Sequence, residues 1–318
     1  MILVTGATGF VGANLIARLS FGNVAVRAAV RSEGCHAPKG IDVAKVGDLG
    51  PDTDWSGALV GVSSVVHAAA RVHVMADTAT DPLGEFRQTN VAGTLNFARQ
   101  AARSGVNRFV FVSSIKVNGE HTLFGQRYGP NDTPKPSGPY GISKCEAEEG
   151  LRRIAEETGM DVVVIRSVLV YGPGVKGNFL SMMRWLHKGI PLPFGAINNS
   201  RSLVALDNLV DLLVTCLQHP AAANQTFLVS DDEDLSTTEL LKRTAAAMGI
   251  KARLIPVSAL ILQAGARLLG KHDVGQRLCS SLQVDISRTR ELLGWTPPVT
   301  VDQAIKKTVA HFLRNQIR

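Results

Sequence analysis

Cysteine is scarce in this chain. Its 318 residues include four, Cys35, Cys145, Cys216 and Cys279, far apart and with no C-x-x-C among them. That excludes a zinc-finger spacing and a disulfide framework. No cluster has metal-ligand spacing, and a reducing compartment, the cytoplasm, is expected. Aromatic residues are also few, at 5%, and the 34 Lys and Arg are scattered although the net charge is +7. Without a basic run interleaved with aromatics, nucleic acid is not an expected partner. The mildly basic tail "IKKTVAHFLRNQIR" reads as a solvated helix face. Long apolar runs are missing too. The most apolar late stretch, "LIPVSALILQAGARLLG", is broken by Pro256 and Arg267. It is too short to span a bilayer and reads as a packed helix, so no membrane insertion is expected. The start "MILVTG" has no charged region ahead of an apolar one, which argues against a signal peptide. With 45% hydrophobic and 19% charged residues, what remains is an ordinary globular composition.

What is present is alternation. "ILVTG", "VAVRAAV", "SVVHAA", "RFVFVSS" and "DVVVIRS" are short, nearly continuous Val/Ile-rich runs, as in strands buried on both faces of a parallel sheet. Between them lie helical patterns: "VGANLIARLS", the segment from Gly84 to Ser104, and "YGISKCEAEEGLRRIAEETG", which Gly159 should stop. This predicts an α/β fold with a doubly wound, Rossmann-type parallel sheet. Residues 1–170 would form that domain, with 203–230 returning to it. A smaller, mostly helical lobe would be woven from 171–202 and 231–318, with "ARLIPV" as a short strand.

Directly after the first strand, "TGATGFVG" places Gly6, Gly9 and Gly12 at the start of the first helix. Glycines allow a tight turn and a close backbone approach, and the helix N-terminus offers unpaired N–H groups to a pyrophosphate. The turn, with Thr8, Phe10 and Val11, therefore reads as a dinucleotide cradle. An acidic residue about 20 positions beyond the glycines would bond the adenosine ribose. Here Arg31 stands 19 positions after Gly12. Arginine suits a 2′-phosphate, so NADP(H) is favoured, while the nearby Glu33 keeps NAD(H) open. Asp48 and Leu49, after the third short strand, are candidates for an adenine-edge contact.

"YGISK" puts Tyr140 and Lys144 four residues apart on one helical face. An adjacent ammonium and a cationic nicotinamide ring would lower the phenol pKa from its usual ~10, so that Tyr140 exchanges the proton of a carbinol. Lys144 would also hold the nicotinamide ribose. Ser114, at the carboxyl end of "FVFVSS", would face the reacting carbonyl and donate to its developing charge. Its alternative is a strand-end cap without chemistry.

Taken together, "TGATGFVG", "HAAA", "TNVAGTLN", "VSSIKVNG", "YGISK", "VIRSVLVYGPG" and "VDISRTRELLGWTPPVTVDQAI" resemble the extended short-chain dehydrogenase/reductase family, in its nucleotide-sugar epimerase/dehydratase branch. The likeness runs over nearly the whole chain. It implies a bound nicotinamide cofactor and a catalytic group of Ser114, Tyr140 and Lys144. It further implies cofactor contacts at Ala68, Ala69 and Ala70, a supporting role for Asn90, and a UDP-sugar substrate. Asn178 and Phe179 would meet the diphosphate, Arg201 and Arg277 would pair with phosphates, and Lys116 would lie at the substrate. A homodimer through the 84–104 and 139–159 helices is implied as well.

Departures from the branch narrow the reaction. Dehydratases carry an Asp-Glu pair directly after the Ser/Thr, where this chain has Ile115 and Lys116. An aliphatic and an ammonium cannot eliminate water. Epimerases usually read Val-Tyr-Gly where this chain has Val117-Asn118-Gly119, and Pro and Asn where it has Ser167 and Leu169. The expectation is a reductase of a UDP-4-keto-6-deoxy-hexosamine for surface polysaccharide. The alternative is a UDP-glucose or UDP-N-acetylglucosamine 4-epimerase. Further alternatives are a non-catalytic dinucleotide-binding regulator and a reductase of small carbonyl compounds.

Overall fold

A computed structural model describes residues 1–32, 40–72, 80–268 and 272–316. The Val-rich runs become strands β1 (Ile2–Thr5), β2 (Val26–Val30), β3 (Asp42–Lys45), β4 (Ser64–His67), β5 (Arg108–Ser114) and β6 (Asp161–Ser167). The second lobe adds β7 (Leu169–Tyr171) and β8 (Arg201–Ala205), β9 (Thr226–Val229) returns to the first body, and β10 (Asp234–Leu235) closes the set. The main sheet has seven strands in the order β3-β2-β1-β4-β5-β6-β9, all parallel. The winding reverses between β1 and β4, and there the carboxyl ends leave a crevice.

Helices cover both faces. Helix α1 (Phe10–Phe21) buries Leu15, Ile16 and Leu19 on one. The other carries the short α2 (Ser56–Leu59), then α3 (Pro82–Phe86), α4 (Thr94–Arg103) and α5 (Gly138–Thr158). There Trp55, Phe97, Phe109, Ala147, Leu151 and Ile154 form the second half of the core. A π-helical stretch, Arg87–Gly93, joins α3 to α4. Gly159, left-handed at φ 74°, stops α5 where the sequence predicted.

After α6 (Gly177–His187), helix α7 (Leu206–Gln218) packs back beside α1, and α8 (Thr237–Ala247) follows. The second lobe continues with α9 (Ala259–Leu268), α10 (His272–Cys279), α11 (Ser287–Leu293) and α12 (Val301–Gln316). Its sheet is three-stranded, β10-β8-β7, so β8 stays in this lobe, and α7 and β9 carry the return to the main body. "ARLIPV" forms only a single bridge, Leu254 to Leu192. The late apolar stretch does form a helix, α9, which packs on α10 on one side, but none of its residues is fully buried.

Candidate active site

The site begins at the β1–α1 turn. Gly6 has φ +66°, and a Cβ there would lie 2.9 Å from the backbone of Ala68 and Ala69. A Cβ on Gly12 would collide with the carbonyl of Gly6. Only glycine lets the turn cross the end of β4 and run straight into α1. The α1 N-cap, Gly9, brings no side chain to the first N–H groups, and the first turn holds no acid. Thr8 is exposed at this rim, while Phe10 and Val11 pack partly into the core. The cradle fits a dinucleotide pyrophosphate.

Next to it, Thr5 Oγ1 accepts the N–H of Ala69 at 3.2 Å and hydrogen-bonds His67 Nδ1 at 2.7 Å. Ala70 follows, half-buried. Buried Asn90, in the π-helical stretch, accepts from the Arg71 N–H at 2.8 Å. It donates to the Arg71 carbonyl at 3.0 Å and to Ser143 Oγ at 3.1 Å. It thereby clamps the chain after β4 against α5. Leu49 lies against Gly93. The exposed Arg31 guanidinium stands 3.6 Å from the exposed Asp48 carboxylate. Glu33 lies outside the described residues.

Across the crevice, α5 presents Tyr140, Lys144 and Glu148 on successive turns. Lys144 is buried, donates to the Val112 carbonyl at 2.9 Å and lies 4.3 Å from the centre of the Phe111 ring. Burial pulls its pKa down to about 7, with Glu148 acting in the other direction. Tyr140 stands beside Ser114, whose hydroxyl favours the phenolate. In the protein alone, burial pushes the Tyr140 phenol up to about 12, and the Ser114 hydroxyl opposes this. Ser114 also accepts the Lys116 N–H at 3.3 Å, capping the short 3₁₀ turn Ile115–Val117. Gly141 lets that turn sit against α5, since a Cβ there would lie 2.9 Å from the Lys116 carbonyl. The Lys116 ammonium meets Glu120 at 2.9 Å.

Beneath these groups lies a network that the motifs did not reveal. Ser113 Oγ donates to Glu148 at 2.5 Å, Arg166 holds Glu148 in a two-pronged pair with Nη2 at 2.6 Å, and Arg166 Nη1 donates to Asn118 at 2.9 Å. Asn118 in turn donates to the Gly129 carbonyl at 3.0 Å. The signals were available: Glu148 continues the four-residue spacing from Tyr140 and Lys144, and Arg166 interrupts an otherwise apolar strand.

In the second lobe, Asn178 is exposed in the first turn of α6. The Phe179 side chain is buried and stacks on Tyr171 at 5.4 Å. Arg201 donates to the Ser280 carbonyl at 3.1 Å. The Arg277 side chain lies outside the described residues. The described residues bring Ser114, Tyr140, Lys144, Asn90 and Lys116 together at the carboxyl end of β5.

Residues 2–230 match the model of the NAD dependent epimerase/dehydratase family. The chain belongs to that family. It is a nicotinamide-dependent enzyme of the extended short-chain dehydrogenase/reductase type. Among its relatives, a UDP-glucose 4-epimerase of Vibrio cholerae is 49% identical over 98% of this chain and 95% of its own. Another UDP-glucose 4-epimerase, of Mycolicibacterium smegmatis, is 30% identical over 99% and 98%. A solved UDP-glucuronic acid 4-epimerase from Bacillus cereus in complex with NAD shares the fold, with a TM-score of 0.80, 18% identity and 99% of both chains covered.

The relative at 49% identity overturns the reductase expectation. Two of the departures that had pointed to it have structural roles. Asn118 is consumed by Arg166 and Gly129, and Ser167 donates to the Ser113 carbonyl at 3.3 Å. Neither substitution alters the Ser114–Tyr140–Lys144 group. The preference for NADP(H) read from Arg31 also finds no support, because a carboxylate stands beside that guanidinium.

Proposed function

We propose that this chain is a UDP-sugar 4-epimerase. The observation that carries the reading is the placement of Ser114 at the end of β5 next to buried Lys144, which is bonded to the Val112 carbonyl of the same strand and lies one turn after Tyr140, in a site whose next two positions, Ile115 and Lys116, hold no carboxyl group. The 49% identical relative supports the same reaction. A nicotinamide cofactor held by the Gly6-Gly9-Gly12 turn and Lys144 would supply the hydride acceptor and donor for C4 of the sugar. Tyr140 takes the O4 proton and gives it back, and Ser114 donates to O4 in both steps. Lys144, held by the Val112 carbonyl, contacts the nicotinamide ribose and favours the Tyr140 phenolate.

The cofactor in this reading is tightly held NAD, with Asp48 and Arg31 at the adenosine ribose. Ala68, Ala69 and Ala70 line its path. The first turn of α6 at Asn178 and Phe179, together with Arg201 and Arg277, meets the UDP diphosphate. Lys116 and Glu120 border the sugar. The enzyme works in the cytoplasm as a homodimer through the 84–104 and 139–159 helices.

Purified enzyme, given UDP-galactose or UDP-N-acetylgalactosamine without added cofactor, should form the gluco epimer with no net change in nicotinamide absorbance. Loss of absorbance in proportion to product, or no interconversion of either pair, would overturn the proposal.

A further inference from the structure

Helix α9 turns its apolar face outward. Leu260, Ile261, Ala264 and Leu268 fall at i, i+1, i+4 and i+8, one face of a helix. That face is exposed, with Leu260 at 78%, Ile261 at 65% and Leu268 at 89%. Soluble helices bury this stripe and expose the other. Here the opposite side is taken up by α10, where a Cβ on Gly275 would lie 2.6 Å from Ala266 Cβ, so small residues bring the two helices close. The arrangement leaves the large side chains to solvent.

The face does not end at the helix. The Leu192 N–H donates to the Arg253 carbonyl at 2.9 Å, the Ile255 N–H to the Leu192 carbonyl at 2.8 Å, and the Gly195 N–H to the Ile255 carbonyl at 2.9 Å. These bonds lay segment 190–195 beside the chain that leads into α9. Ile190 is bonded to the last turn of α6, its N–H donating to the Trp185 carbonyl at 3.2 Å. Trp185, Ile190 and Ile255, on these adjoining segments, are all exposed as well. The same segments and α9 carry the exposed cations Arg184, Lys188, Lys251, Arg253 and Arg267. The sequence has no Asp or Glu from 162 to 206, nor from 240 to 272. In a chain with 27 acids, both segments of this surface are free of them.

We propose that this surface docks the enzyme on an anionic lipid bilayer, with α9 lying in the plane of the headgroups. Exposed Leu and Ile with a Trp at the rim suit the boundary between headgroup and acyl chain, and the surrounding Lys and Arg meet anionic headgroups. Charge selects this partner over a second copy of the chain, because two such faces would bring five cations against five. Among the described residues no helix is long and apolar enough to cross a membrane, so the attachment is peripheral. It does not depend on which sugar the site turns over.

The test is sedimentation of the full chain with vesicles of phosphatidylglycerol and phosphatidylethanolamine, against vesicles of phosphatidylcholine alone. The wild type should bind the anionic vesicles, release them at high salt and bind the neutral ones at least about ten-fold more weakly. Trp185 emission should shift to shorter wavelength on binding, and Trp185→Phe should remove that shift. The double variant Leu260→Glu/Ile261→Glu should lose at least about ten-fold in partition with an unchanged melting temperature, since both sites are solvated. Equal binding by wild type and double variant overturns the proposal, as does failure of the wild type to bind anionic vesicles. A third result against it is a wild-type dimer that ignores vesicles and that the double variant converts to monomer.

Discussion

At Tyr140 two effects oppose each other. Burial holds the phenol near 12, and the Ser114 hydroxyl favours the phenolate. Burial also pulls the Lys144 pKa down, which weakens its cation as a counterweight. The positive charge of a bound oxidised nicotinamide ring would add to the bias toward the phenolate. Tyr140→Phe should lower kcat by about 10²–10⁴-fold with little change in KM, because the lost proton transfer belongs to the transition state. Ser114→Ala removes one donor to the developing charge and should cost about 10²–10³-fold. Steady-state kinetics of both variants checks this. A KM effect without a kcat effect would mean that these groups only bind the sugar.

Helix α5 connects chemistry to framework. One face carries Tyr140, then Lys144, then Glu148, and the last is fixed to β6 through Arg166 and to β5 through Ser113. The carboxylate and the guanidinium are both almost fully buried. Glu148 is a positioning residue, because it acts on the site through the helix. Glu148→Ala leaves the Arg166 charge buried without its main partner, which typically costs about 3–5 kcal/mol. Thermal melting should show that loss, while the double variant Glu148→Leu/Arg166→Met should recover a large part of it. If the single variant melts with the wild type, the pair contributes nothing to the fold.

Across the whole molecule, His67 marks where the two halves of the sheet meet. It is fully buried between β1 and α4, hydrogen-bonded to Thr5 at 2.7 Å and to Thr94 at 3.0 Å, and its ring lies among Phe97, Phe109 and Phe111. Burial, helped by Lys144, depresses its pKa from 6.5 to about 3. The unfolded histidine thus binds a proton that the folded one refuses between those values. Stability consequently rises with pH from about 3 to about 6.5 and is lost as pH falls through that window. Each unit is worth ~1.4 kcal/mol, so several kcal/mol are at stake at the acid end. Denaturant titrations of wild type and His67→Gln across this range should show the variant's stability falling less steeply on acidification. Parallel curves would show that other groups govern acid unfolding.

The Val-rich runs, the Gly6-Gly9-Gly12 turn and the stop at Gly159 determined the doubly wound sheet from sequence alone, and the Tyr140–Lys144 spacing put both candidate site residues on one face of α5. They could do so because strand alternation, conformational freedom at a turn and helical spacing are local properties. Only the tertiary structure decided that Asn118 serves Arg166, that Phe179 stacks inside the lobe, that Arg31 has Asp48 beside it and that α9 turns its apolar face to solvent. Each of these depends on which distant segment arrives next to the residue. An apolar stripe looks the same in sequence whether a neighbouring helix covers it or leaves it open.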